Sequence, residues 1–411
     1  MSEPVGLHLF AGFGVELEYM VVDRETLDVR PIADRLFRDF SNTQVSAVDN
    51  GPIAWSNELT AHVVEMKTNG PTPDLFKAAQ DFHRNIELIN TILGRHNAML
   101  LPGAAHPWMD PIREMVLWPH DAHEIYNLYN TIFDCRGHGW ANVQSTHLNL
   151  PFTGDAEFAR LHTAIRLLLP LMPALTASSP LLDGGPTGWL DSRLKVYLHN
   201  QDRLPILTGR LIPEAVFSEK EYEKQIFAPI MAAISPFDPE GIMGKYFLNS
   251  RGAIARFDRG AIEIRILDIQ ECPLADCSIA QLIIATLKGL TTENWSDFAL
   301  QGRADTEMLR ELFLRVIETG GETLVADSGY LQLLGLPGKA MPVAEIWQYL
   351  FTKCGELLDK KCWATLDQIL REGCLSSRIM RGLQGDYRRG NLRDHYLRLA
   401  DALQLNSLYL P

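Results

Sequence analysis

The sequence predicts an α+β protein, and two observations carry that reading. Segments in which apolar residues alternate with polar ones crowd the chain before Pro273, with helical stretches crossing between them; after Pro273 the periodicity is almost wholly helical. Four of the alternating segments, residues 14–19, 58–65, 145–149 and 261–266, also place acidic, imidazole or guanidinium groups at their polar positions.

Residues 13–23 read as a strand with Val15, Leu17, Tyr19 and Val21 on one side and Glu16 and Glu18 on the other. Asn50-Gly51, between 44–49 and 52–57, is a strong hairpin signal, because a two-residue turn favours residues that accept positive φ. A further strand is expected over 62–68. Over 72–97, Leu75, Ala79, Phe82, Ile86, Ile89 and Leu93 form an apolar helical stripe, and 98–101 returns to the sheet. Helix is expected over 120–133, strand over 143–150 ended by Pro151, and a buried helix over 155–177 with a proline kink. From 178 to 260 the periodicity fades and Gly, Pro and Arg become frequent, which is the mark of active-site loops. Residues 261–268 form the last clear strand; helices follow over 274–295, 305–318, 343–354, 360–371 and 386–403. No repeat or composition break forces a boundary. The 411 residues are read as one domain, 1–411, with a sheet-bearing part over 1–295 and a helical part over 296–411.

Hydrophobic content of 46 % and charged content of 22 % fit a globular chain. A formal charge of −13 argues against a nucleic-acid partner, since phosphate repels an acidic surface, but leaves room for a basic pocket in an acidic shell. The longest apolar stretch, 167–177, contains Pro170 and Pro173, so no membrane span is expected. The N-terminus lacks the basic start and long apolar middle of a secretion signal, and the expected location is cytoplasmic. The six cysteines show no C-x-x-C spacing and read as reduced buried thiols.

Glu16 and Glu18, two apart on a strand, point the same way, roughly 7 Å apart. Alone they would pass for a solvated strand face; repetition of the pattern elsewhere weakens that reading. Glu58 and Glu65 are seven apart and converge only if the chain bends at Thr60-Ala61. His147 shares a face with Ser145 and Asn149. Beside carboxylates its neutral imidazole suits Mn²⁺, or a Mg²⁺ site that tolerates nitrogen. Glu263 and Arg265 share the polar face of a strand backed by Ile262, Ile264 and Ile266. They are either a same-face ion pair or a metal ligand beside a phosphate clamp. Arg251, Arg256 and Arg259 precede them in a glycine-bearing loop. A sheet face of this composition is costly unless cations neutralise it, which points to divalent metal with polyphosphate, and so to ATP. There is no G-x-x-x-x-G-K-[ST] loop, so a P-loop is excluded. Gly12 and Gly14 are a lone G-x-G entering a strand, and no G-x-S-x-G elbow occurs.

Taken in order, these segments resemble the glutamate–cysteine ligase and carboxylate–amine ligase family. Residues 14–23 are similar to its opening strand and 58–68 to its second acidic segment. Thr146-His147-Leu148-Asn149 is similar to its H-x-H-x strand, with one histidine where many members have two. Ala177-Ser178-Ser179-Pro180, Asp191-Ser192-Arg193 and 263–268 follow in the family's order. The resemblance covers about two-thirds of the chain, to about residue 295, and touches the helical remainder only at Arg388, Arg389 and Arg393. It implies a glutamine-synthetase-like fold: a curved, mainly antiparallel sheet, flanked by helices, with metals and nucleotide on its concave face. By the same resemblance Glu16, Glu18, Glu58, Glu65, His147 and Glu263 would ligate two or three Mg²⁺ or Mn²⁺ ions. Arg265, beside Glu263, would contact the transferring phosphate. Arg193, Arg251, Arg256 and Arg259 would meet phosphate or a substrate carboxylate.

The implied activity is ATP-dependent amide formation in a single catalytic domain. ATP phosphorylates a carboxylate, expected to be the γ-carboxyl of glutamate, and an amine such as cysteine attacks the acyl phosphate. The expected partners are therefore a small carboxylate and a small amine, with neither nucleic acid nor membrane; homo-oligomerisation stays open. Three other readings remain: a ligase of the same fold with a different carboxylate or amine, a metal- and nucleotide-binding protein without turnover, and a plain α+β protein whose same-face acids are solvated.

Overall fold

The structure is a computed structural model that describes residues 6–411; the first five residues, on which the leader expectation partly rests, lie outside that range. Its centre is an eight-stranded sheet of β1 (Gly14–Asp23), β2 (Ala47–Asn50), β3 (Ile53–Asn57), β4 (Val63–Thr68), β5 (Ala98–Leu101), β6 (Ser145–Pro151), β7 (Ala253–Arg256) and β8 (Ala261–Asp268). The order is β2-β3-β4-β1-β6-β8-β7, and β5 pairs with the C-terminal half of β1. Every pairing is antiparallel. The expected α+β class and antiparallel sheet are therefore observed.

Alternation decides which face is which. On β1, Val15, Leu17, Tyr19 and Val21 are buried in the hydrophobic core, while Glu16 and Glu18 point to the opposite face. Three helices help to fill the core: α1 (Leu75–Leu93), α2 (Gly154–Leu168) and α3 (Pro273–Thr291), with α3 packed on both others. Asp74 caps α1 by accepting from the Lys77 amide, which starts that helix three residues later than expected. α3 meets the apolar side of the sheet, where the Thr146 hydroxyl donates to Asp276 at 2.7 Å. By length and composition α3 is apolar enough to cross a membrane, contrary to the expectation that no such run exists; in the fold it is a mostly buried core helix.

Two predicted helices differ. The 155–177 helix breaks at Leu168 into a 3-10 turn and the short helix Pro173–Thr176, because Pro170 and Pro173 cannot donate to the ladder. The last helix begins at Arg389, and a separate helix, Leu375–Leu383, precedes it and ends on a left-handed Gln384. The stretch 178–260 is not all loop. It holds Ser192–Tyr197, Ala228–Ile234 and Lys245–Leu248, elements too short to show a period. Arg256 ends β7 and Arg259 lies in the turn into β8, closed by Gly260 at φ +61°, while Arg251 sits in the bend two residues before β7.

The helices over 306–319, 343–353 and 360–372 share the main core, and the last two, Leu375–Leu383 and Arg389–Leu405, pack in a second cluster with Met20, Val22, Met99 and Leu101. Trp347 donates from Nε1 to the Leu171 carbonyl at 2.9 Å, and Tyr330 Oη to the Leu167 carbonyl at 2.7 Å. Arg378 and Glu271, both fully buried, form an ion pair between the last helices and the end of the sheet.

Candidate active site

Strand register builds the site. Side chains directly opposite on antiparallel neighbours share a face. Glu65 on β4 pairs with Ser56 on β3 and with Glu18 on β1; Glu16 pairs with Lys67 on β4 and His147 on β6; Asn149 on β6 pairs with Glu263 on β8. One polar row after another is thereby laid across the sheet. Glu58 follows β3 directly. It meets Glu65 because the chain turns through residues 59–62, at the bend expected at Thr60-Ala61, and returns as β4.

This face floors a cleft of about 700 Å³. Two sets of three ligand atoms each lie within 4.8 Å of one another: Glu16, Glu65 and His147, and Glu18, Glu58 and Glu65. Glu65 belongs to both, so its carboxylate sits where it would bridge two cations. Oxygen-rich sets with one imidazole suit Mg²⁺ or Mn²⁺.

Hydrogen bonds fix these groups. His147 Nδ1 lies 2.8 Å from Glu16 and its Nε2 2.9 Å from the Ser145 hydroxyl. Ser145 donates to Glu18 from its amide at 2.7 Å and its hydroxyl at 2.9 Å. Glu65 accepts from Ser56 at 2.6 Å and Lys67 at 2.7 Å. Burial works against ionisation of Glu16, but His147, Lys67 and Arg265 outweigh it and hold that carboxyl at about 2. Burial also opposes the His147 cation, yet Glu16, Glu18 and Glu263 push its pKa up to about 9. Glu58 and Glu65 shift the other way: burial first, then neighbouring carboxylates, raises both. The acids thus lack enough positive charge to ionise together, and a divalent cation would supply what is missing. The donor set fits such an ion.

Arg265 donates to Glu263 from Nε at 3.1 Å and from a terminal nitrogen at 2.5 Å; Arg256 lies 3.8 Å from the same carboxylate. Glu263 Oε1 is 3.9 Å from His147 Nδ1, so Glu263 borders the ligand sets without joining either. Arg256 and Arg259 line the cleft. Arg193 lines it too, buried and anchored on Asp268 at 2.5 Å. Arg251 is different. Its guanidinium is fully buried away from the cleft, held by both oxygens of Glu214 at 2.6 Å and by Asn249 at 3.1 Å, where it braces the loops around β7. It is a structural arginine, not a substrate contact.

Sequence reasoning missed Lys67, although its spacing from Glu65 puts it on the same strand face. It also missed the aromatic lining: Tyr126 and Tyr129 sit on the helix expected over 120–133, whereas Trp140, Tyr197, Tyr246 and Phe247 come from short helices with no readable period.

The fold and the acidic face define a class: the glutamate–cysteine ligase-like folds. A glutamate–cysteine ligase of Francisella tularensis, solved with AMP, superposes with a TM-score of 0.62 at 11 % identity, covering 97 % of this chain and 89 % of that one. A bifunctional glutathione synthetase of Pasteurella multocida superposes at 0.56 and 13 % identity, over 96 % of this chain and 52 % of that one. The chain belongs to Glutamate-cysteine ligase family 2 (GCS2), whose profile matches residues 12–397, well beyond the two-thirds legible from motifs. An "Uncharacterized protein" of Archaeoglobus fulgidus is 30 % identical over 302 residues, 72 % of this chain and 81 % of the relative. A "Putative glutamate–cysteine ligase 2" of Bradyrhizobium sp. is 29 % identical over 54 % of this chain; the match spans half of that relative's length.

Proposed function

We propose that this protein is an ATP-dependent carboxylate–amine ligase, acting as a single catalytic domain on the γ-carboxyl of glutamate and a small amine. The observation that carries this reading is the pair of carboxylate sets sharing Glu65, bordered by Lys67, Arg256, Arg259 and Arg265 on one sheet face. Acids for cations and cations for phosphate occur side by side, as phosphoryl transfer between two anions demands.

In the first step a carboxylate oxygen attacks the γ-phosphorus of ATP. The bond from that phosphorus to the β,γ-bridging oxygen breaks, and ADP leaves. In the second, the amine nitrogen attacks the acyl carbon, the carbon–oxygen bond to phosphate breaks, and the amine surrenders a proton as inorganic phosphate departs. Glu16, Glu18, Glu58, Glu65 and His147 would hold divalent metal, which would supply charge neutralisation on the phosphates. Arg265 and Lys67 present guanidinium and ammonium donors to the transferring group. Glu263 sets the orientation of Arg265 through its two hydrogen bonds. Ser145 fixes both Glu18 and the His147 ring, so the acids meet ligands already oriented. No covalent nucleophile is required, in keeping with six buried cysteines.

The test is ADP and phosphate release with glutamate, an amine panel and Mg²⁺ or Mn²⁺, against Glu16→Gln. Metal-dependent release that needs both carboxylate and amine, and that the variant loses, is expected. Turnover by Glu16→Gln at the parental rate refutes the assignment.

A further inference from the structure

The cleft has two unlike ends. At one, beyond Glu16, Lys67 and Arg259, it continues into a compartment of about 400 Å³ walled by Gly12, Gly14, Gly70, Pro71, Pro151 and Gly260. At the other it meets an aromatic wall. Tyr129 is the hub of that wall, with ring centroids 5.0 Å from Trp140 and 5.1 Å from Phe247. Phe247 is 41 % exposed at the rim of the cleft, so one face of its ring is open to an occupant. Trp140 Nε1 is buried without a hydrogen-bond partner. The helix that carries Trp140 packs on the helix that begins with Ser192 and Arg193.

Arg193 adds a second, independent sign of a ligand. Its side chain is 3 % exposed, Nε is spent on Asp268, and one terminal nitrogen is buried with no partner while the residue lines the cleft. A buried guanidinium N–H without an acceptor is costly, and a carboxylate is its natural complement.

Phosphoryl transfer sets the order of occupants. The attacking and leaving oxygens lie roughly in line through phosphorus, so the nucleotide and the substrates being joined approach from opposite ends. Lys67 and Arg259 stand where the glycine-walled compartment opens into the cleft, as a triphosphate tail requires. The base therefore belongs in that compartment, and the aromatic end is left for the acceptor. Resting on the proposed ligase activity, we propose that the acceptor amine is an aromatic α-amino acid, its ring packed on the Tyr129–Trp140–Phe247 wall and its carboxylate received by Arg193.

The experiment compares L-phenylalanine, 2-phenylethylamine and L-cysteine as acceptors, with ADP release as readout. In parallel, calorimetry measures their binding to protein saturated with Mg²⁺ and a non-hydrolysable ATP analogue, which needs no turnover. L-Phenylalanine is expected to surpass cysteine on both measures, and loss of its carboxylate in 2-phenylethylamine to weaken binding at least tenfold. Phe247→Ala, at a half-exposed ring that the fold tolerates losing, is expected to weaken L-phenylalanine on the order of tenfold while leaving the KM for ATP within twofold. Cysteine preferred over phenylalanine overturns the proposal yet leaves the ligase reading standing. Equal binding of amine and amino acid overturns the role of Arg193. A Phe247→Ala defect confined to ATP gives the wall to the nucleotide base and overturns the assignment. Absence of ADP release with every acceptor refutes the ligase reading, and calorimetry then still decides whether the wall takes the ring.

Discussion

Glu65→Gln separates a metal site from a merely acidic surface, because the two predict opposite signs. Glu65 is buried, belongs to both ligand sets, and has its pKa raised by burial and by Glu16. Two unit charges 4.8 Å apart repel by about 3.5 kcal/mol at an effective dielectric near 20. Lys67, 2.7 Å away but 40 % exposed, offsets part of that repulsion. The upward shift of Glu65 says that the balance remains unfavourable to its charge. Glutamine keeps a carbonyl acceptor for Ser56 and Lys67 and removes the charge. With EDTA present, the variant should therefore be more stable than the parent by about 1 kcal/mol, or about 1–2 °C in Tm for a chain of this length. Saturating Mn²⁺ should reverse the order: at a hundred times Kd the parent gains about 2.7 kcal/mol, and the variant, having lost a ligand from both sets, gains far less. Differential scanning fluorimetry in EDTA and in MnCl₂ reads both arms. A variant that is destabilised in EDTA and shifts with Mn²⁺ as the parent does would refute the reasoning.

Glu263→Gln removes the carboxylate that orients Arg265 and lies near Arg256; ADP release should fall at least a hundredfold with an unchanged circular dichroism spectrum, and near-parental turnover would end the assignment. Acid should destabilise the fold through His62 and His106, both held near 4 by burial, below the ordinary 6.5. A histidine pKa depressed by folding favours the neutral form, so this stability is complete above about pH 6.5 and is lost as pH falls toward 4, by up to about 3 kcal/mol each; an unchanged urea midpoint between pH 7 and pH 5 contradicts it. A fragment ending at residue 295 should fail to unfold cooperatively, since it loses Trp347, Tyr330 and Arg378 from contacts with Leu171, Leu167 and Glu271; a sharp thermal transition for it would show two units instead of one.

Local signals were legible and pairings were not. Alternation alone places Glu16 and Glu18 on one face, and Asn50-Gly51 marks a hairpin whose Gly51 adopts φ +69°. The match of Glu18 with Glu65, or of Glu16 with His147, depends on register between strands far apart in the chain, which no window of sequence encodes. Arg251 was misassigned for the same reason. Its partner Glu214 lies 37 residues earlier, in a stretch without periodicity, so a buried brace and a phosphate clamp look alike in sequence. Lys67 was legible from its place two residues after Glu65, but a lysine on an acidic strand reads as ordinary charge balance.

That balance gives the site its coupling. In the structure Lys67 rests on Glu65, Arg265 on Glu263, and His147 on Glu16. Under the proposed function a divalent cation competes with Lys67 for Glu65 and with the His147 proton for Glu16. Metal at Glu65 would therefore free the Lys67 ammonium beside the phosphates that the same metal attracts, while metal at Glu16 would displace the His147 proton and take the neutral imidazole as a ligand. The charges that stabilise the fold before ATP arrives are those redistributed when it binds, and metal and nucleotide affinity should rise together, because each ligand removes the like-charge cost of the other.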